Sequence, residues 1–384
     1  MPLLPCQIDS YRQSNRAAVR SCEPAGESTF DVVLSESVLY PEGGGQPSDG
    51  GTVGGLPVMS LRTRSDGAVV HTLGGAVSGE VEVTVDWSRR YDHMQQHTSQ
   101  HLLTAIAQDR FGLATTAFHL GAERCDIELD GMLSAADLTA LEAAVNAEVR
   151  AARPVATKLA RPDELAALGV RTRGLPEGFQ GDVRLVSIEG IDLNTCGGTH
   201  AANTAELQAL KLTGTEPMRG GTRLFYLAGG RVLGALDGAL GRERALSRLL
   251  TCPAAEHADA VARVMAGAKS AGKEKKGLLS ELAGLIGREL AASGTAHLHR
   301  PAGDMGFLSA VAGAAGRAKP GLTVLLTAGS QEGVFLLIGP PDRVSALGPR
   351  IAEVLGGRGG GARGRFQGKG SRLDRAAEAA ALLA

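Results

Sequence analysis

Residues 92–103 read DHMQQHTSQHLL, and at this stretch the sequence pattern changes from strand to helix. From Arg89 onward, apolar residues are spaced for one buried helical face, and they are Leu102, Leu103, Ile106 and Phe111. On the same helix His93, His97 and His101 recur at i, i+4 and i+8, so all three project from one side. A pair of them can clamp a metal ion, although a helix face that is His-rich by chance has the same spacing.

The chain before this helix has the pattern of a small β-rich domain. Between residues 28 and 85, short β-prone runs such as 30–34 and 81–85 alternate with glycine-rich turns. Between these strands lies the run YPEGGGQP at residues 40–47, whose three glycines allow backbone to approach a ligand closely. The alternative is an ordinary tight connection in a glycine-rich protein.

A second group of metal-binding residue types occurs at 196–200, which read CGGTH. Cys196 and His200 flank a glycine pair that permits a sharp turn, and thiolate and imidazole are the ligands that Zn²⁺ prefers. Two short ligand pairs from distant parts of a chain can close one tetrahedral site. The sequence therefore predicts a Zn²⁺ site made of His97, His101, Cys196 and His200; the alternative is a buried cysteine beside an unrelated histidine.

Composition limits the class of protein. A length of 384 residues suggests two or three domains, and 43% hydrophobic residues suffice for a globular fold. Lys and Arg number 40 against 41 Asp and Glu, so attraction to nucleic acid must come from local basic patches. The five cysteines are scattered, and no apolar run approaches the roughly 18 residues of a membrane span. We expect a cytoplasmic protein without a disulfide framework and without a membrane partner.

The last third of the chain predicts a connecting helix or a helical hairpin over 256–292, then strands at 322–326 and 334–338 and a helix over 344–355. Residues 356–370 follow as a glycine-rich, basic run that we predict to be an open loop. Its side chains suit phosphate contacts and base stacking, and they are Arg358, Arg363, Arg365, Phe366 and Lys369. The alternative is a disordered basic tail.

Five separate motifs together resemble the editing domain shared by alanyl-tRNA synthetases and free-standing AlaX proteins. They are residues 92–103 and 196–200, the loop 41–47, and the runs TTAFHLG at 115–121 and TRLFYLAG at 222–229. The resemblance spans roughly residues 5–240. It implies a trans-editing enzyme that deacylates tRNA(Ala) mischarged with serine, and in some members with glycine. Since the chain starts at this region, we expect no aminoacylation domain before it.

The glycine-rich run resembles a motif of the C-terminal domain of alanyl-tRNA synthetase, which also follows DHH phosphoesterase domains. That resemblance implies tRNA binding. The sequence contains no Asp-His-His motif of the phosphoesterase kind, so we expect this domain to bind and not to cut. A homodimer formed through the helices stays an open alternative.

Ester hydrolysis by such a site needs an activated water, and we expect His97, His101 and Cys196 to act through the metal. Four protein ligands would close a tetrahedral shell, so we expect one position to open for water or substrate. The alternatives are a five-coordinate metal, and a zinc ion that mainly orders the pocket while a water held by substrate and backbone attacks. Candidates for recognising the seryl hydroxyl, by their place in the motifs, are Gln46, Thr98, Thr115 and Thr116. His93 is not expected to bind the metal itself, and at most it contacts one of the ligands.

The predicted fold is α+β, with a barrel-like β-rich part, an α/β zinc-containing editing domain, a helical connector and a C-terminal α/β domain. The expected boundaries are 1–88, 89–240, 241–300 and 301–384. Two other functions fit the same residues: a tRNA-binding protein that lacks catalysis and has structural zinc, and a zinc hydrolase of a small free ester.

Overall fold

The computed structural model describes residues 3–172, 174–175 and 181–384. It divides into two compact units, Met1–Glu243 and Arg244–Ala384. Helices and sheets both contribute to each unit, which confirms the predicted α+β class. No helix among the described residues is long and apolar enough to cross a membrane.

The first unit begins with a closed six-stranded barrel in the strand order β1-β2-β5-β4-β3-β6, as the alternating sequence predicted. In the last strand Val81, Val83 and Val85 point into the barrel core and the residues between them face outward. A short helix precedes the barrel. The elements are α1 (Pro5–Ile8), β1 (Ser14–Gly26), β2 (Thr29–Leu34), β3 (Gly51–Val53), β4 (Leu56–Thr63), β5 (Val69–Leu73) and β6 (Glu80–Val85).

The helix predicted from residue 89 is α2 (Trp87–Phe111). It starts two residues earlier because the Asp86 side chain accepts a hydrogen bond from Arg89 N and caps the first turn. It ends where Gly112 takes the left-handed conformation. Every residue from 93 to 103 is buried, polar ones included. Buried polar side chains need hydrogen-bond partners, so the partners of this stretch define the site.

Two sheets and the helix α3 (Ala135–Arg150) pack around α2. A four-stranded sheet in the order β12-β13-β8-β7 carries α2 and α3 on one face, and a three-stranded sheet has the order β11-β10-β9. A bulge shifts the register between Thr115 and Ala117. The elements are β7 (Thr115–Leu120), β8 (Cys125–Leu129), α3 (Ala135–Arg150), β9 (Val155–Ala160), β10 (Val183–Ile188), β11 (Asp192–Thr195), β12 (Leu210–Met218), β13 (Gly221–Ala228) and α4 (Gly230–Leu250).

The second unit is a five-stranded sheet in the order β14-β15-β16-β18-β17 with helices on both faces. In β16, Phe335 and Leu337 face α7 while Leu336 faces α6, which explains the unbroken apolar run of that strand. The elements are α5 (His257–Ser293), β14 (His297–Arg300), α6 (Met305–Ala318), β15 (Val324–Gly329), β16 (Gly333–Ile338), α7 (Pro341–Val354), β17 (Gly357–Gly360), β18 (Arg365–Gly370) and α8 (Ala376–Ala381).

The glycine-rich run is not an open loop, and this prediction was wrong. Its two halves are the antiparallel strands β17 and β18, which extend the sheet from β16. The glycines let α7 pack closely on this hairpin: a Cβ on Gly348 would lie 2.5 Å from the Phe366 ring, and one on Gly359 would lie 2.8 Å from it. Close packing, and not flexibility, explains these two glycines.

Candidate metal centre

The four predicted ligands converge in the first unit. One candidate ligand atom from each of His97, His101, Cys196 and His200 lies within 4.8 Å of the others. The Cys196 sulfur is 3.4 Å from His97 Nε2 and 3.3 Å from His200 Nε2. Two ligands come from successive turns of α2, and two come from the turn that follows β11. This cluster can hold a metal ion.

Each histidine of the cluster is fixed through its other ring nitrogen. His97 Nδ1 lies 2.8 Å from Gln46 Oε1, His101 Nδ1 lies 3.1 Å from Asp192 Oδ2, and His200 Nδ1 lies 3.1 Å from Thr98 Oγ1. The Gln46 and Asp192 oxygens accept, which places a proton on Nδ1 of His97 and His101 and leaves Nε2 of each ring as the nitrogen available to the cluster. Such partners set ring orientation and tautomer in metal sites.

The turn after β11 is held by buried contacts. Gln46 Nε2 donates to Thr199 Oγ1 at 2.9 Å, and Thr199 N donates to Gln46 Oε1 at 3.0 Å. Arg184 Nη1 donates to the carbonyls of Cys196 and Gly198 at 2.7 and 2.9 Å. A Cβ on Gly198 would lie 2.3 Å from His97 Cε1, so only glycine fits there. The loop at 41–47 thus reaches the ligands through Gln46.

Asp192, which is buried, joins the cluster to a partly exposed chain of charged residues that the sequence did not predict. Arg171 Nε lies 3.2 Å from Asp192 Oδ1, and Arg171 Nη2 donates to Asp109 Oδ2 at 2.7 Å. Gln108 Oε1 accepts from Arg171 Nη1 at 3.1 Å. Asp192 is four residues before Cys196, which was a usable signal, whereas nothing in the sequence around Arg171 indicated this contact.

The ionisation of the cluster suits metal binding. Burial opposes the charged form of Cys196, but His97, His200 and a hydrogen bond from His101 together hold the pKa of this thiol well below its usual range. Burial lowers the pKa of His200 to about 3, so its imidazole is neutral. Burial opposes charge on His101 as well, yet the hydrogen bond to Asp192 and the contact with Cys196 raise its pKa to about 9. Without a metal ion His101 therefore carries a proton at neutral pH that zinc would have to displace, since thiolate and neutral imidazole are the forms that bind zinc.

The cluster forms one end of a cavity of about 840 Å³. Three of the four candidate ligands line it, namely His97, His101 and Cys196, whereas His200 is not among the described lining residues. The remaining described wall consists of Gly44, Gly45, Gln100, Thr104, Gln108, Ala114, Thr115, Phe118, Val170, Arg171, Thr172, Gly174, Asn194, Thr195 and Gly197. A ligand in this cavity would therefore meet His97, His101 and Cys196 at the cavity wall.

A second group of possible ligands is His119, Asp126 and Glu128, on the outer face of the β7-β8 hairpin. His119 is exposed and the two carboxylates are partly buried, and Arg223 Nη2 lies 2.6 Å from Glu128 Oε1. The arginine already supplies a positive charge to these carboxylates. The buried cluster is the better candidate for a metal ion.

Comparison with known proteins agrees with this geometry. Residues 183–226, which include Asp192, Cys196 and His200, match the family described as the threonyl and alanyl tRNA synthetase second additional domain. The alanyl-tRNA editing protein Aarsd1 of Rattus norvegicus is 42% identical over 399 residues, which cover 98% of this chain and 96% of the rat protein. The chain belongs to the alanyl-tRNA editing protein family. The resemblance predicted from the motifs is thereby confirmed.

Other members and relatives extend the match. The alanyl-tRNA editing protein Aarsd1 of Danio rerio is 40% identical over 398 residues, again 98% of this chain and 96% of the relative. The alanine–tRNA ligase of Halobacterium salinarum is 31% identical over 352 residues, which cover 86% of this chain but 37% of the ligase. Most of this chain is thus similar to one part of a longer ligase.

The predicted substrate contacts of this editing protein occupy different places. Gln46 and Thr98 are fully buried behind the ligand imidazoles and bonded to them, so their present hydrogen bonds serve the ligands. Thr115 lines the cavity. Thr116 is the unpaired residue of the β7 bulge, is exposed, donates to Glu128 O and is not among the described lining residues. His93 is buried and lies outside the ligand cluster, and its Nδ1 has no hydrogen-bond partner among the described residues.

The predicted tRNA contacts lie on the β17-β18 hairpin. Arg358 and Lys369 are exposed cross-strand neighbours, and Arg363 is exposed in the connecting turn. Arg365 is half-buried and donates to Gln367 Oε1 at 3.0 Å through Nε. Phe366 does not stand free on a loop, because its ring packs against Phe335 in the core of the second unit with the centroids 6.2 Å apart. The prediction that Phe366 is an open base-stacking residue is corrected accordingly.

Proposed function

We propose that this alanyl-tRNA editing protein is a zinc-dependent hydrolase that deacylates tRNA(Ala) charged with serine, and with glycine as a secondary substrate. The observation that carries the proposal is the convergence of His97, His101, Cys196 and His200 at one end of a cavity. A cluster reached from a cavity suits chemistry, whereas structural zinc sites are closed.

The donor set fits Zn²⁺ better than a hard cation. It offers three imidazole nitrogens and one sulfur, and no carboxylate oxygen belongs to the inner group. Asp192 and Gln46 act one step further out, as hydrogen-bond acceptors for His101 and His97. When bound, zinc would supply Lewis-acid polarisation of the ester carbonyl and a lowered pKa for water in the site.

The chain's own residues hold and orient the reacting groups. His97, His101 and Cys196 present the ligand atoms to the cavity, while His200 anchors the site from behind. Gly44 and Gly45 bring backbone to the cavity wall without side chains, which leaves room for a substrate. Phe118 lies beside His97, with ring centroids 6.1 Å apart, and adds an apolar surface to the cavity wall.

The cavity volume limits what enters. About 840 Å³ lies within the usual range for small-molecule sites, so an aminoacyl group and the terminal nucleoside of a tRNA fit, but a folded tRNA does not. The rest of the tRNA must contact the protein elsewhere. Arg358, Arg363 and Lys369 are exposed basic residues that suit phosphate contacts.

The test is deacylation of Ser-, Gly- and Ala-charged tRNA(Ala) by the zinc-loaded protein. We expect the wild type to release serine and Cys196→Ala to deacylate Ser-tRNA(Ala) at least about a hundredfold more slowly. Cys252→Ala, which changes a cysteine of the other unit, should deacylate it at nearly the wild-type rate. If the wild type binds charged tRNA and leaves the ester intact, zinc is structural. If it hydrolyses a free seryl ester as fast as Ser-tRNA(Ala), the substrate is a small ester.

The role of the hairpin needs point variants, because deleting residues 356–384 would remove two strands of the sheet and Leu373 of its core. We expect Arg358→Ala, Arg363→Ala and Lys369→Ala each to weaken tRNA binding. Each should also reduce the slope of log affinity against log salt concentration by about one, which is the contribution of one phosphate contact. Arg317→Ala in α6 is the matched control. The domain boundaries, the cytoplasmic location and a homodimer stay predictions.

A further inference from the structure

The cavity-facing side of α2 continues beyond the ligand histidines as a polar stripe. His97, Gln100, His101 and Thr104 follow at helical spacings of three and four residues, and all four line the cavity. Gln100 and Thr104 thus stand directly beside the candidate metal centre. Gln100 lies within the motif at 92–103 and Thr104 directly after it, but neither was among the predicted substrate contacts.

Two hydrogen bonds fix the Thr104 hydroxyl, one from within the stripe and one from β7. Gln100 Nε2 donates to Thr104 Oγ1 at 2.9 Å, and Thr115 Oγ1 donates to the same Thr104 oxygen at 3.1 Å. The Thr104 hydroxyl therefore accepts twice and keeps its own hydrogen for another acceptor. Among the described residues no group accepts that hydrogen, and none donates to Gln100 Oε1.

The stripe consequently offers the cavity one fixed donor, Thr104 O–H, and one fixed acceptor, Gln100 Oε1, side by side. A hydroxyl group is both a donor and an acceptor, so it can satisfy the two at once. A methyl group or a hydrogen atom can satisfy neither, and it would leave both polar groups unpaired in a half-buried wall.

We propose that Gln100 and Thr104 bind the side-chain hydroxyl of the seryl group and so determine specificity against alanine. This rests on the proposed function. Thr115 positions Thr104 by donating to it. A site that hydrogen-bonds a substrate hydroxyl rejects the analogue without it strongly, which is the discrimination that editing of tRNA(Ala) requires.

The other polar wall residues suit this role less well. Gln108 Oε1 is taken by Arg171, and Thr195 Oγ1 donates to Thr172 Oγ1 at 3.3 Å. Asn194 also lines the cavity, but among the described residues no side-chain hydrogen bond fixes its amide. Gln100 and Thr104 are held in place before any substrate arrives, which lowers the ordering cost of binding.

The first test is direct binding to the zinc-loaded full chain, measured calorimetrically with non-hydrolysable probes. The probes are 3′-amino-3′-deoxyadenosine carrying serine, alanine or glycine in amide linkage. We expect Thr104→Val and Gln100→Met each to weaken binding of the seryl probe by about tenfold, which corresponds to one neutral hydrogen bond. The affinities for the alanyl and glycyl probes should stay unchanged. Thr104→Ser keeps the hydroxyl and should retain seryl binding, and Thr139→Val on α3 is the matched control.

Three results would overturn the proposal. If Thr104→Val and Gln100→Met weaken binding of all three probes equally, the stripe contacts the ribose or has a structural role. If both variants bind the seryl probe as the wild type does, the stripe does not bind the hydroxyl. If only Asn194→Ala loses affinity specifically for the seryl probe, that residue binds the hydroxyl. The deacylation assay separates the two levels. If the wild type prefers the seryl probe but releases no serine from Ser-tRNA(Ala), the proposed hydrolysis fails and the specificity site stands.

Discussion

Gln46 Oε1 lies 2.8 Å from Nδ1 of His97, although 51 residues separate the two in the chain. The same side chain binds Thr199 through both its oxygen and its nitrogen. One amide therefore connects the barrel loop, the central helix and the turn between Cys196 and His200. It fixes the position of the candidate ligands relative to one another.

Removing this amide should weaken the metal site without unfolding the unit. We expect Gln46→Leu to lower Zn²⁺ affinity by about 10- to 100-fold, because His97 loses the acceptor that sets its tautomer. Competition with a chromogenic chelator measures this affinity. Gln13→Leu, at an exposed position, should bind zinc as the wild type does. Equal affinities for Gln46→Leu and the wild type would show that the contact is dispensable.

The charge of Asp192 should matter more than that of Asp109, although both contact Arg171. Asp192 is buried and also accepts from His101, whereas Asp109 is half-exposed. We expect Asp192→Asn to weaken Zn²⁺ binding by about tenfold or more and Asp109→Asn to change it little. The same chelator competition compares the two variants. The idea fails if Asp109→Asn has the larger effect.

Neighbouring glycines of the ligand turn should differ sharply in tolerance. A Cβ on Gly198 would lie 2.3 Å from His97 Cε1 and 2.7 Å from Gln46 Oε1, but one on Gly197 meets only Gln7 Nε2 at 3.4 Å. We expect Gly198→Ala to bind zinc at least about tenfold more weakly and Gly197→Ala to bind it normally. Metal content per chain after dialysis measures the difference. Normal retention by Gly198→Ala would contradict the packing argument.

Phe366 should stabilise the second unit and not act in base stacking. We expect Phe366→Ala to cost about 3 kcal/mol of unfolding free energy, through lost contacts with Phe335 and α7. Hydrogen exchange of peptides from 324–370 reports this locally, which avoids assuming that the whole chain unfolds in one step. Arg358→Ala should leave that exchange unchanged. A variant with normal exchange and weakened tRNA binding would restore the stacking role.

The sequence was informative wherever chemistry imposes spacing. His97 and His101 on one helix, and Cys196 and His200 around a glycine pair, are recognisable because ligand type and interval are both restricted. The barrel was predictable because its strands alternate between core and solvent. The grouping of the four ligands needed no knowledge of the intervening chain.

Other features depend on tertiary context that a local pattern does not carry. The run at 356–370 has too many glycines to predict strands, yet pairing with β16 and close packing by α7 make it a hairpin. Thr115 and Thr116 look equivalent, but the bulge turns one towards the cavity and the other outward. Gln100 and Thr104 became visible only once the cavity was located.

The candidate centre draws on segments that are far apart in the chain. Cys196 lies 99 residues beyond His97, and Gln46 belongs to an earlier loop. A nascent chain that ends with α2 holds only two ligands and has no tight metal site. Metal uptake must therefore come late in folding, when the whole first unit has formed. Retained metal would then report completed tertiary structure, and its release would be an early sign of unfolding.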